Sequence, residues 1–477
     1  MTFNSLSYFL FLPVVYLIFY FLRDRWRWLL LLMASYCFYA TFNAPYLLAV
    51  LFMVTAISYA CGIRIAAHKE ESISKHWFWG GATACVAMLA LLKYLPFLET
   101  KTNSIFGLSI TFTTALISIG VSFFSFQAIS YMADIYLEMQ EPEKHFGYFA
   151  LYMAFFPKLL QGPIERAGDL LPQLKQPYQF DYDTVRSGIL LFTLGLIKKV
   201  VIADRLVPYA DKVFDHAPDY TGLPLILGIY AYAFQLYFDF SGYTDMARGT
   251  GRMFGISLSE NFNSPYLATS IADFWRRWHI SFSRWILDYI FKPLQMSWRS
   301  WGQAGTAIAL IITFLVSGVW HGALWGFVVW SCTHGIYLAA SIYYRPYQKK
   351  LHNLFGIEKS LWLKWWQVFI TFNLVCLAWV FFRAPGLRSA WYMISHLFRG
   401  IKTLPISLIS SRDCIDIVII SLALLLCYLI KNLQNKPNTK DLLNFNSVRW
   451  FAYYSIALFI VVCGKFGAYS EFIYGRF

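Results

Sequence analysis

Residues Thr313 to Gly335 read TFLVSGVWHGALWGFVVWSCTHG. The stretch prolongs an apolar run that begins near residue 304, and it holds no charged side chain. His321 stands between Gly318 and Gly322, and His334 is followed by Gly335. An ionisable group at the depth of such a run is expensive in lipid and is by default a functional candidate. The flanking glycines let the backbone turn tightly or let a substrate come close.

The rest of the chain agrees with a membrane reading. Of 477 residues, 58% are apolar and 14% charged, against about 45–50% and about 25% in an ordinary soluble domain. Aromatic residues make up 20% of the chain, which suits long borders at a membrane interface. No polar stretch approaches the roughly 150 residues of a soluble domain. A cytosolic enzyme is excluded, and an all-α polytopic protein with one integral-membrane domain over 1–477 is expected. Lys and Arg number 40 and Asp and Glu 26, a net charge of +14. The basic residues sit mainly between apolar runs, the pattern of the positive-inside rule and of anionic headgroup contact. Membrane lipids, and no nucleic acid, are therefore the expected partners of this charge. Cys37, Cys61, Cys85, Cys332, Cys376, Cys414, Cys427 and Cys463 have no paired spacing, so neither a disulfide framework nor a zinc site is expected.

Apolar runs near the length that crosses about 30 Å of hydrocarbon lie at 6–22, 27–42, 46–63, 77–98, 107–132, 222–239, 304–319, 323–344, 361–382, 414–430 and 449–466. They predict about eleven transmembrane helices. The first lacks the basic leader and small-residue cleavage site of a signal peptide, so it reads as a span. Shorter or polar-punctuated runs at 146–161 and 184–203 are spans, re-entrant segments or interfacial helices. Arg23, Arg25 and Arg27 follow the first run, and Arg64, Lys69 and Lys75 the third, which puts the N-terminus outside. Basic loops at 345–360 and 431–449 put the C-terminus outside as well. Both termini outside demand an even number of crossings, at odds with eleven. Three zones are expected: peripheral N-terminal helices over about 1–100, a catalytic core over about 107–345 and C-terminal helices over about 361–477. No internal repeat supports an inverted-repeat transporter.

Four constellations carry candidate chemistry. A desolvated neutral histidine at 321 can take a proton from a hydroxyl near pH 7; the plainer reading is a histidine bonded to a neighbouring helix. Ile271 to Leu294, IADFWRRWHISFSRWILDYIFKPL, puts Trp275, Trp278, Phe282, Trp285 and Tyr289 along one side at helical spacing. Arg277, Arg284 and Asp288 fall on the other, with Asp273–Arg277 and Arg284–Asp288 spaced for pairing and Pro293 closing the segment. This predicts one amphipathic helix, an interfacial anchor or a cavity wall, with His279 on its aromatic side. In LYFDFSGYTDMAR (236–248), Asp239 and Asp245 close an apolar run; no metal is expected there, and pairing with Arg248 or a neighbouring arginine is. FFPKLLQGPIER (155–166) breaks the helix around Lys158 and Gln161, which predicts backbone inside the protein or beside a cavity.

Together FFSFQAISYMADIY (123–136), FFPKLLQGPIERAGDLLPQL (155–174), LGLIKKVVIADRL (194–206), LYFDFSGYTDMARG (236–249), ENFNSPYLATSIADFWRRWHISFSRWILDYIFKPL (260–294) and GVWHGALWGFVVWSCTHG (318–335) resemble the membrane-bound O-acyltransferase family. The likeness is to its bacterial cell-envelope branch, whose members serve alginate O-acetylation, peptidoglycan O-acetylation and teichoic-acid D-alanylation. It runs in order from about residue 8 to 345 and faintly to the C-terminal SEFIYGRF. The resemblance implies a helical bundle with re-entrant and interfacial helices around a central tunnel, in the bacterial inner membrane. It places the family's invariant histidine on His321 and a second polar residue on His279, as the catalytic pair. It implies acetyl-CoA as a cytoplasmic thioester donor with no bound cofactor, a glycan acceptor outside, and a separate periplasmic or extracellular SGNH-type acyltransferase as partner. The exposed SEFIYGRF end is one place for that partner to touch.

On this reading Arg276 and Arg277 attract the donor's phosphates. Trp275, Trp278, Trp320, Asp239, Tyr243 and His334 are the remaining substrate-binding candidates. One departure is KPLQMSWRSWG (292–302), where alginate-type members carry a Gly-Gly-Asn-Arg stretch; this favours peptidoglycan or another glycan over alginate. The alternatives are D-alanyl transfer to teichoic acid, a polysaccharide or lipid transporter, and a structural membrane scaffold.

Overall fold

A computed structural model describes residues 1–42, 44–69, 72–106, 120–358, 360–400, 411–435, 446–467 and 472. Among them the chain is helical, and the one β-type contact is an isolated bridge between Phe262 and Trp278. The helices run α1 (Leu6–Phe21), α2 (Asp24–Ala40), α3 (Pro45–Ala67), α4 (Ser72–Phe106), α5 (Val121–Tyr136), α6 (Phe146–Ala154), α7 (Ala167–Lys175), α8 (Tyr182–Leu196) and α9 (Asp204–Asp215). They continue as α10 (Leu223–Met253), α11 (Ile271–Arg277), α12 (Ile280–Ile286), α13 (Lys292–Ser297), α14 (Gly302–His321), α15 (Trp325–Leu354), α16 (Leu361–Arg383), α17 (Leu387–His396), α18 (Ser411–Asn435) and α19 (Asn446–Cys463).

Each of the eleven apolar runs meets a helix; of the run 107–132, residues 107–119 lie outside the described residues, as does most of SEFIYGRF. Five stretches are long and apolar enough to cross a bilayer: Pro45–Ala67, Leu223–Met253, Arg299–His321, Leu361–Arg383 and Asp413–Ile430. The protein is a multi-pass membrane protein. Its outer helices turn large apolar side chains outward, among them Leu17 on α1, Trp362 and Trp366 on α16 and Val462 on α19. A surface so apolar is stable only against lipid.

Three expectations change. The basic stretch expected as a loop from 345 is helical to Leu354, as the end of α15. The polar-punctuated run 184–203 lies in an unbroken rod, α8 and α9 joined through a π-helical turn at Ile197–Ala203. At 1.5 Å per residue this rod is about 50 Å long. Asp239 and Asp245 close the apolar run but not the helix, which continues past them to the end of α10. The side chains they face are lysines of the π turn. Lys199 Nζ lies 2.6 Å from Asp239 and 2.9 Å from Asp204, and Lys198 Nζ lies 2.5 Å from Asp245, with Arg248 only at 3.8 Å. The expected pairing with Arg248 is present at Asp245, but the lysines stand nearer to both carboxylates. A π turn adds a residue to one helical turn, and here both neighbouring lysines reach α10.

Two apolar cores share α5 and α10. The first gathers α1–α4, α6–α8 and a few buried residues of α18 and α19. The second gathers α11, α12, α14, α15, α16 and α17 around Trp278, Trp330 and Trp379. The broken segment after α6 is buried between them: Phe155 to Ile164 are all buried, and Lys158 Nζ donates to Gln127 Oε1 at 2.7 Å. Its irregular backbone is inside protein, as membrane depth requires.

Candidate active site

His279 sits where the expected single amphipathic helix breaks. α11 ends at Arg277, Trp278 is extended, and His279 takes φ 43°, ψ 55° before α12 begins. Left-handed backbone is uncommon outside glycine, though histidine is among the residues enriched there, and it costs on the order of 1–3 kcal/mol. Asn261 holds the break in place. Its backbone carbonyl accepts from Ile280 N at 3.0 Å, and its side-chain Oδ1 accepts from Ser281 N at 3.1 Å and Ser281 Oγ at 2.7 Å. The same oxygen lies 3.4 Å from His279 Nδ1. An amide oxygen accepts only, so Nδ1 carries the hydrogen and Nε2 is left as the acceptor of the neutral ring. This tautomer is assigned from its partner.

The break alters the rest of the segment too. Asp273 pairs with Arg277 at 3.0 Å as expected, but Asp288 pairs with Arg166 at 3.2 Å and Lys292 at 2.7 Å instead of with Arg284. A π turn at Leu287–Phe291 shifts Asp288 out of register. Pro293 does not close the segment; helical backbone runs through it from α12 and the π turn into α13.

His321 is the last residue of α14 and is buried. The glycines around it have separate uses. A Cβ on Gly318 would stand 2.2 Å from Ser331 Oγ, so this glycine lets α14 and α15 touch. Gly322 takes φ 158° and ψ −177° and turns the chain out of the helix directly after the histidine, a region open essentially to glycine alone. Aromatic rings surround the imidazole: Trp320 at 4.4 Å between centroids, Trp330 and Phe382 each at 5.0 Å edge-on, and Phe327 at 5.9 Å.

The two histidines belong to one assembly. Trp320 stacks on Phe282 at 4.5 Å, and Phe282 lies 5.1 Å from His279. His279 is also packed by Phe240 of α10 at 4.8 Å and Phe123 of α5 at 6.2 Å. On the other side, Trp330 lies 5.4 Å from His334, whose Nδ1 accepts from Trp275 Nε1 at 3.2 Å. An indole nitrogen only donates, so His334 carries its hydrogen on Nε2. Trp278 joins the same group through Trp379 of α16 at 5.2 Å.

The structure thus unites His321, His279, Trp320, Trp275, Trp278 and His334. Arg276 is exposed near the C-terminal end of α11, and Arg277 is held by Asp273. Asp239 and Tyr243 stand apart on α10: Asp239 faces Lys199, and the Tyr243 ring stacks on Phe3 at 4.8 Å and meets Phe472 at 5.0 Å. Residues that the sequence reading passed over include Asn261, Phe382 and Trp379. Buried polar atoms are nearly always paired in folded proteins. Around the histidines, Ser317 Oγ, Trp320 Nε1, Trp330 Nε1 and His334 Nε2 are buried with no protein partner among the described residues. Such a grouping suits a path for water or a polar substrate, with two neutral imidazoles in an apolar wall able to move a proton.

Comparison with known proteins places the chain in a family. Residues 35–381 match the family described as MBOAT, membrane-bound O-acyltransferase family. The chain is 39% identical over 405 residues to a probable alginate O-acetylase of Azotobacter vinelandii, covering 83% of this chain and 77% of the relative. It is 36% identical over 430 residues to a peptidoglycan O-acetyltransferase of Helicobacter pylori, covering 81% and 78%. A teichoic acid D-alanyltransferase of Bacillus subtilis is 29% identical over 329 residues, covering 66% and 80%.

Proposed function

The chain belongs to the membrane-bound O-acyltransferase family and is an acyltransferase, and from that premise we propose that it takes acetyl groups from cytoplasmic acetyl-CoA for O-acetylation of a cell-envelope glycan. The observation that carries this reading is a buried His321 at a helix end, tied to His279 through Trp320 and Phe282. His321 removes the proton from an acceptor hydroxyl as its oxygen attacks the thioester carbonyl. The tetrahedral adduct collapses to the ester, and the thiolate leaves with the proton from the imidazolium. His279 offers Nε2 as an acceptor and orients the incoming group through hydrogen bonding. A thioester is a stronger acyl donor than the ester formed, so transfer runs downhill.

Acetyl is favoured over D-alanyl because the identity to the named O-acetylating relatives, 39% and 36%, exceeds the 29% to the D-alanyltransferase. Peptidoglycan or an exopolysaccharide is the acceptor class. The surroundings are the inner membrane of a bacterium, and a separate SGNH-type acyltransferase outside completes transfer to the polymer. Arg276, exposed at the end of α11, is suited to attract the donor's phosphates.

The test is acetyl-CoA cleavage by the purified full-length chain in detergent, read as thiol release in the presence of the SGNH-type partner and an oligosaccharide acceptor. Wild type should turn over and His321→Ala should lose at least about a hundredfold, as loss of a general base does. Equal rates for the two proteins would reject His321 as the base.

A further inference from the structure

The last carbonyls of an α-helix have no partner inside it. At the end of α14 two of them are met from α4: Lys93 Nζ donates to the Trp320 carbonyl, and the Tyr94 hydroxyl donates to the Val319 carbonyl. The Lys93 ammonium also lies over the Trp320 ring, 5.5 Å from its centroid. Lys93 lies in an otherwise apolar run of α4 and is only partly exposed. An ammonium at such depth is costly without a compensating partner, and the negative end of a helix dipole is one. Trp320, gripped at both its carbonyl and its ring, is the residue that touches His321 on one side and Phe282 on the other. After His321 the chain leaves the helix at once through Gly322. The helix end bearing the histidine is therefore fixed by contacts from α4.

We propose that Lys93 and Tyr94 are positioning residues for His321: from α4 they tie down the last turn of α14 and set where the imidazole stands relative to His279. The proposal rests on His321 being the base. Neither residue touches the reacting atoms. Removing either should therefore slow the chemical step while leaving donor binding nearly as it was. A purely structural role would instead lower stability and leave the surviving folded enzyme fully active.

The experiment compares wild type, Lys93→Met, Lys93→Arg, Tyr94→Phe and His321→Ala, all full length, in the acetyl-CoA thiol-release assay, with melting temperatures recorded alongside. Loss of a charge-assisted bond should lower kcat of Lys93→Met about tenfold or more, with KM for acetyl-CoA changed less than about twofold. Lys93→Arg, which keeps the charge and the donors, should recover most of the loss. Tyr94→Phe should fall in the same direction by less. Wild-type kcat in Lys93→Met, or a loss that arginine does not restore, overturns the proposal. If Lys93→Met does not fold, Tyr94→Phe decides: lowered kcat at unchanged KM supports positioning, and wild-type kcat overturns it. His321→Ala separates the two claims. A dead His321→Ala beside a fully active Lys93→Met rejects the positioning role alone, whereas an active His321→Ala rejects the base and the positioning role together.

Discussion

Asn261 shows how one side chain can set the backbone conformation and the tautomer of a buried histidine, here His279, to which the proposed function gives a catalytic role. Its Oδ1 accepts from both groups of Ser281 and stands against His279 Nδ1, so it stabilises the left-handed residue and selects the tautomer with an accepting Nε2. Asn261→Leu would leave Ser281 N and His279 Nδ1 without this acceptor, at about 1–3 kcal/mol for each buried donor. The expected outcome is a fall in turnover of at least about tenfold with a lowered melting temperature, measured on the purified protein; wild-type turnover would show that the tautomer does not matter. His321 was legible in the sequence because an ionisable group in an apolar run between glycines has few bland explanations. Lys93, inside the apolar run 77–98, meets that same rule but was not picked out from the sequence. Asn261 carried no such signal, since an asparagine in the loop ENFNSPYL is what any turn would use.

At the level of elements, two departures from regular α-helix do the positioning. The aromatic spacing from Trp275 to Tyr289 fits a single helix so well that the break at Trp278 and His279 is invisible in it. A non-glycine residue in left-handed backbone leaves no mark on periodicity, and the bonds that hold it come from Asn261, distant in sequence. The π turn at Ile197–Ala203 was equally hidden, and with it the reason for two adjacent lysines. Lys199 is buried between Asp204 and Asp239. Lys199→Met should destabilise the protein by about 3–5 kcal/mol, the usual result of leaving buried carboxylates without their cation. Thermal or denaturant unfolding in detergent measures this, and an unchanged midpoint would mean that the two carboxylates are satisfied without it.

Over the whole molecule, hydropathy made the helices legible because lipid imposes a requirement on composition alone. Each of the eleven apolar runs is mostly helical where described. The rod from Tyr182 to Asp215 is long enough to be a further crossing, which would give the even number that two outer termini demand. Which helices enclose the site was not legible. Trp379 and Phe382 of α16 lie beyond the segment expected to form the core, yet they pack on Trp278 and His321. Such contacts join residues about a hundred or sixty positions apart, and no local pattern announces them. The resulting assembly brings His279 and His321 together in a buried, largely aromatic interior.

The most direct measurement is base-released acetate from purified envelope glycan in one strain carrying the wild-type gene, a deletion or His321→Ala, with membrane levels of the protein checked by immunoblot. Acetate should disappear in the deletion and in His321→Ala while the substituted protein stays at its normal level. Wild-type acetate in the deletion would contradict the O-acetyltransferase assignment, and wild-type acetate in His321→Ala alone would contradict the role given to this histidine.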